Sequence, residues 1–267
     1  MLRIVLAALA ALMIAAAGPP AFAEPDEERS ALRMTPAEAE DLAILETAMK
    51  ALQQQGYAGL SPSLPALRAA LDRAPDLYPM FEIGQDTMIV RSPEIADMVI
   101  GNTMLSALHE RGETAPTSVV QQPNVYPEIA LTLGSEAIER GRYSEGIDYL
   151  DRGLRLQPNH WMLLGEKAAA MQGQKRWAEA LAFADEALAR NDAWLQFHAA
   201  PLHRRRGFSL IELGRLAEAK AAYEKSLELE PDNETAKHEL AYIERLEHGG
   251  DPWGTTLVAP ASKNPAD

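Results

Sequence analysis

The 267-residue sequence contains no cysteine. Disulfides, thiolate nucleophiles, iron–sulfur clusters, cysteine-bound zinc and lipid attachment through cysteine are therefore excluded. Positive charge is scarce: 25 Lys+Arg stand against 39 Asp+Glu, a net charge of −14. That balance argues against a chain built to neutralise phosphates, because nucleic-acid affinity rests largely on basic contacts. HExxH, Walker, Rossmann and GxSxG patterns are all missing. Beyond residue 17 no stretch is apolar enough to span a membrane. What remains is 47% hydrophobic and 24% charged, an ordinary soluble composition with enough length for one large domain or two small ones.

Residues 1–23 stand apart. Arg3 gives a positive start, residues 4–17 (IVLAALAALMIAAA) are apolar, Gly18-Pro19-Pro20 breaks the run, and Ala21-Phe22-Ala23 places small residues at −3 and −1 of a cut before Glu24. This is the pattern of a cleaved secretory signal. Fourteen apolar residues reach about 21 Å as a helix, short of a ~30 Å hydrocarbon core, so an anchor is disfavoured. The expected compartment is the periplasm of a Gram-negative bacterium, or secretion. Residues 24–34 follow as an acidic leader.

The second half repeats itself. With Pro158 aligned to Pro231, segments 127–160 and 200–233 are each 34 residues long, and 161–194 fits the same frame between them. Small residues recur in register: Gly134, Gly146 and Gly153; Ala168, Ala180 and Ala187; Gly207, Ala219 and Ser226. Each unit reads as two amphipathic helices joined by a turn. The chain in this region resembles the tetratricopeptide repeat, whose small positions let two helices approach closely. The resemblance implies a mainly α fold: three helical hairpins and a capping helix, an α-solenoid. The cap is expected from Ala236, Leu240, Ile243 and Leu246 at helical spacing, with Asp232 as its N-terminal cap. Residues 195–199 exceed the 34-residue frame. They read either as an early start of the third unit's first helix, capped by Asp192 and kinked at Pro201, or as a longer loop. The repeat region is placed at 125–247 and a disordered tail, containing Trp253, at 248–267.

The first half reads as a small α-rich domain over 35–112 with a possible β-hairpin. Thr35-Pro36-Ala37-Glu38 is a capping box, Leu42, Leu45, Met49 and Leu52 form an apolar stripe, and Gly56 stops it. A shorter helix follows from Ser63, a hairpin over 80–90, and a helix opening at Ser92-Pro93 and closing at Gly112. The first two helices read as a decayed repeat unit. Residues 113–124 read as a linker, with a possible short strand at 118–121.

No catalytic, cofactor-binding or metal-ligating residues stand out. His198 and His203 are five apart, on different faces of a helix, and no carboxylate pair joins them in sequence. His203-Arg204-Arg205-Arg206 is the densest basic run, either a solvated face or an anion-binding spot. The resemblance implies that inner positions of each unit's first helix line a concave groove. These are Glu128, Leu131, Ser135 and Ile138, then Met162, Glu166 and Ala169, then Arg204, Arg205, Phe208 and Ile211. The family's carboxylate clamp, a Lys and an Asn in the first unit, is replaced here by Leu131 and Ser135.

The expectation is a periplasmic protein–protein interaction module that takes a peptide or helix of another protein, an envelope protein, in its groove, without a cofactor, nucleic acid or integral membrane segment. The alternatives are a regulatory subunit or enzyme with its site in 35–112, or a structural envelope-assembly component. A further possibility is that 35–112 or the tail folds into the groove and fills it.

Overall fold

The computed structural model describes residues 34–250, Pro93 excepted. The signal pattern, the acidic leader to residue 33 and the tail from residue 251 lie outside the described residues.

The chain begins with α1 (Pro36–Gln55). Thr35 Oγ1 accepts the Glu38 amide at 3.1 Å, satisfying one of the helix's free donors. The expected capping box is only half made, because Glu38 accepts a 2.6 Å hydrogen bond from the Tyr78 hydroxyl. Gly56, at φ 64°, ends α1 and turns the chain into a 3-10 segment, Gly56–Leu60. Helix α2 (Leu64–Asp72) then runs back along α1.

A three-stranded sheet follows. Strand β1 (Phe81–Ile83) pairs antiparallel with β2 (Thr87–Arg91), Phe81 opposite Val90. Helix α3 (Ile95–Glu110) crosses over to β3 (Ser118–Gln122), which lies parallel to β2 with Thr87 opposite Ser118. Residues 113–124, expected as a linker, thus deliver the third strand. A parallel pair needs a crossover of at least a dozen residues, and α3 supplies it. Because β2 has neighbours on both edges and α3 on one face, all five of its residues are buried. Met88, Val90 and Leu105 form this unit's small core. Gly101 of α3 lets the helix sit on the sheet: a Cβ there would lie 2.8 Å from the Val90 side chain. Ile95 and Val99, on the same helix, stay exposed.

Three helical hairpins come next: α4 (Val125–Glu139) with α5 (Tyr143–Leu156), α6 (Trp161–Gly173) with α7 (Trp177–Leu188), and α9 (Ala200–Glu212) with α10 (Leu216–Leu229). Helix α11 (Glu234–Glu247) covers α10. Its cap is Asn233, whose side chain accepts the Ala236 amide, and not Asp232. The small residues do what close helix crossing requires. A Cβ on Gly134 would meet Leu150 at 2.8 Å, and one on Gly207 would meet the Tyr223 ring at 2.6 Å.

The extra residues before the third unit form a separate short helix, α8 (Ala193–Phe197). Asp192 caps it as expected, accepting the Leu195 amide at 2.7 Å. Pro201 does not kink a continuous helix. The chain breaks at His198-Ala199 and Pro201 sits in the first turn of α9, where its missing N–H costs nothing.

One core runs from Leu45 and Leu67 through Ile129 and Leu150 to Leu163. Helices α1 and α2 pack on α4 much as α4 and α5 pack on α6. Residues 36–72 are therefore the first layer of the stack. The boundary expected at 113–124 does not divide the core, because the apolar faces of α1 and α4 need one another. The β1–β2–α3–β3 unit is an insertion between the first layer and the second. No helix among the described residues is long and apolar enough to cross a membrane.

Candidate functional site

The residues expected to line a groove fall into three groups. In the first group, α4 is closed over. Leu131 is 1% exposed and belongs to the core shared with α1. Met49 of α1 lies against Thr132, at 3.7 Å from its hydroxyl. Glu128 and Ser135 are buried. Ile138 points into its own hairpin, where a Cβ on Gly146 would lie 2.7 Å away. The physical reason is the added first layer, which gives the inner face of α4 a neighbour that the repeat frame alone does not contain.

The second group is occupied internally. Arg204 spans its own hairpin, donating to Ser226 Oγ at 2.9 Å and pairing with Glu230 at 2.6 Å. Ile211 packs against the core of the third hairpin. Arg206 pairs with Asp185 of α7. The basic run is thus largely a set of ties between helices.

The third group lies along α6 and α9: Met162, Glu166 and Arg205 are half-buried, while Ala169 and Phe208 are buried. Glu166 and Arg205 face each other at 3.8 Å, across neighbouring first helices. Burial pushes the Glu166 carboxyl up, against the pull of Arg205. Phe208 is braced edge-on by Trp177 at 5.6 Å. Between them lies Gly165, which the sequence did not single out. A Cβ built there meets nothing within 4 Å, unlike the tight glycines of the hairpins. Its spacing, three residues after Met162 and four before Ala169, was the available signal. Gln172 ties the two first helices, donating to Arg205 O at 2.7 Å and Ser209 Oγ at 2.9 Å.

A second polar cluster was invisible in sequence. Asp97, in the first turn of α3, accepts from Trp194 Nε1 at 2.7 Å and is 2.8 Å from His198 Nε2 on the same oxygen. Its other oxygen accepts from Ser92. Burial acts to raise the Asp97 carboxyl, but the bonds from His198, Ser92 and Trp194 hold it below its usual value. The sequence offers no carboxylate pair to join His198 and His203; in the fold His198 alone meets a carboxylate, from 101 residues away on the inserted unit. Local spacing carries no information about such a pair.

Comparison with known proteins places these features in a family context. The tetratricopeptide repeat model matches residues 200–233, the third hairpin. RNA polymerase II-associated protein 3 of Mus musculus is 31% identical over 133 residues, half of this chain and 19% of that protein. The Hsp70-Hsp90 organizing protein of Triticum aestivum is 32% identical over 112 residues, 42% of this chain and 18% of that one. The chain thus spans about a fifth of the length of these curated relatives. Among solved structures, the first TPR of Spaghetti (RPAP3) bound to HSP90 peptide SRMEEVD is 30% identical, with 46% of this chain and 95% of that chain covered and a TM-score of 0.42. A MamA RS-1 double mutant is 15% identical, with 81% and 88% covered and a TM-score of 0.49. The third hairpin is a tetratricopeptide repeat, and the two before it share its period and its helix–turn–helix form.

Proposed function

We propose that this tetratricopeptide-repeat chain is a protein-interaction module of the bacterial periplasm, and that it holds a segment of an envelope protein along α6 and α9. The observation that carries the reading is the room beside Gly165, a buried residue at which an added Cβ would meet nothing within 4 Å. It lies between the apolar Met162, Ala169 and Phe208 and the Glu166–Arg205 pair. Apolar surface flanked by a paired charge suits a segment that lays apolar side chains along the face and offers one polar group to the pair. The periplasmic setting rests on the signal pattern of residues 1–23.

The relatives' ligands do not transfer directly. Two relatives carry chaperone peptides in their solved structures, SRMEEVD among them. In this chain the two clamp positions of the first repeat are Leu131 and Ser135, both buried and uncharged. We therefore assign the recognition to the next two first helices.

Gly165→Leu tests this reading. It fills that space, Leu is the better helix former, and an added Cβ there meets nothing within 4 Å. After crosslinking in cells, the wild-type chain should give a defined adduct and Gly165→Leu should lose it at an unchanged melting temperature. An adduct of equal yield from Gly165→Leu would rule out this face.

A further inference from the structure

The two departures from the repeat frame, the inserted β1–β2–α3–β3 unit and the extra helix α8, meet at one place. Glu94 precedes α3, Asp97 lies in its first turn, and His198 follows α8. One carboxylate oxygen from each of Glu94 and Asp97 and a ring nitrogen of His198 all lie within 4.8 Å of one another. Beside them stand Glu128, from the start of α4, and His160, which precedes α6. Both are 2% exposed, and Glu128 Oε1 is 3.7 Å from His160 Nε2. Neither Glu128 Oε1 nor His160 Nδ1 has a hydrogen-bond partner. A buried carboxylate oxygen and a buried imidazole nitrogen left unpaired are costly, and such atoms call for a ligand.

The charge around this point is unbalanced. After burial, the groups acting on Glu94 are His198, Asp97, Glu128 and His160, three carboxylates and two imidazoles counting Glu94 itself. Arg91, the nearest cation along the chain, is engaged by Glu82 at 2.6 Å and by the Tyr78 ring. Aromatic rings close the surroundings. Trp161 stacks on His198 at 5.5 Å, and Trp194 stands edge-on to both His160 and His198. An apolar wall around mixed nitrogen and oxygen donors strengthens their hold on a cation.

We propose that Glu94, Asp97 and His198 bind a divalent transition-metal ion of the zinc class, with Glu128 and His160 as the buried pair behind it. One imidazole and two carboxylates suit zinc or its neighbours better than calcium, which takes six to eight oxygens. Trp194 and Ser92 already orient Asp97 by donating to it. The ion joins the inserted unit to the repeat stack at α8. Since the ligands come from segments about 100 residues apart, binding is linked to the folded state and stabilises it.

The test uses the mature protein stripped of metal by a chelator and titrated with Zn2+ by calorimetry. The four tryptophans, two of them in this wall, give a fluorescence readout, with Co2+ as a quenching probe. One Zn2+ per chain is expected, with a raised melting temperature. Glu94→Gln and His198→Ala should each weaken binding at least about tenfold. His238→Ala, at an exposed histidine, should change nothing. Wild-type protein that takes up no Zn2+, or binding equally strong in Glu94→Gln and His198→Ala, would overturn the site. Glu94→Gln carries the test alone if His198→Ala fails to fold, because Glu94 is only partly buried and the change keeps its shape.

Discussion

At the residue scale, the histidines differ in what their surroundings allow. His203 on α9 is held down to about 4 by burial, assisted by the nearby cations Arg206 and Lys225 and opposed by Glu228. Its folded value lies below the unfolded value of about 6.5. Between these two values the unfolded chain binds more protons, so stability present above pH 6.5 is lost as pH falls toward 4. Replacing the ring by a group that does not titrate removes this slope. Chemical denaturation at pH 7 and pH 5 should show the wild type losing more stability than His203→Gln does. Equal losses would mean the ring is solvated.

At the scale of elements, the hairpins depend on the small residues at their crossings. Ala219 is fully buried where α10 meets α9, in the core with Leu210 and Tyr223. Ala219→Leu overpacks that contact and should cost about 1–3 kcal/mol in thermal or denaturant unfolding. An unchanged midpoint would put Ala219 elsewhere. Much at this scale was legible in the sequence. The 34-residue period located all three hairpins, Gly56 marked the end of α1, and the apolar stripe from Leu42 to Leu52 gave its buried face. Capping was legible only in part. Asn233 and Asp232 are adjacent polar residues with the same chemistry, and only the backbone turn decides which one faces the free amides. The groove residues were legible as positions but not as environments. Arg204 and Ile211 fit the inner frame, yet Glu230 and the hairpin core claim them. Nothing in a local pattern records such long-range claims.

At the scale of the whole molecule, the first layer binds the two halves into one core. Leu45 of α1 and Ile129 of α4 belong to the same cluster. A chain starting at residue 113, at the boundary the composition suggests, would bare the apolar side of α4 that Leu45, Met49 and Leu52 cover. Such a truncation should lose cooperative unfolding or aggregate, as read by circular dichroism and gel filtration. A monomer with the full chain's melting profile would show the halves to be independent. Within the full chain, Leu45→Ala should cost about 2–5 kcal/mol. It should lower a single transition that includes the repeats, as followed by hydrogen exchange in α4. In the sequence, 35–112 is a small α-rich domain with a possible hairpin and 195–199 an early helix start or a longer loop, with no link between them, because no spacing rule connects Asp97 to His198.

The central claim is that this stack takes its partner on the inner face of α6 and α9. A photo-crosslinking amino acid placed at Met162 on that face, and at Lys220 on the exposed side of α10, compares the two surfaces directly in cells. The account predicts a discrete protein adduct from position 162 and none from position 220. An adduct from position 220 alone, or none from either, would contradict it.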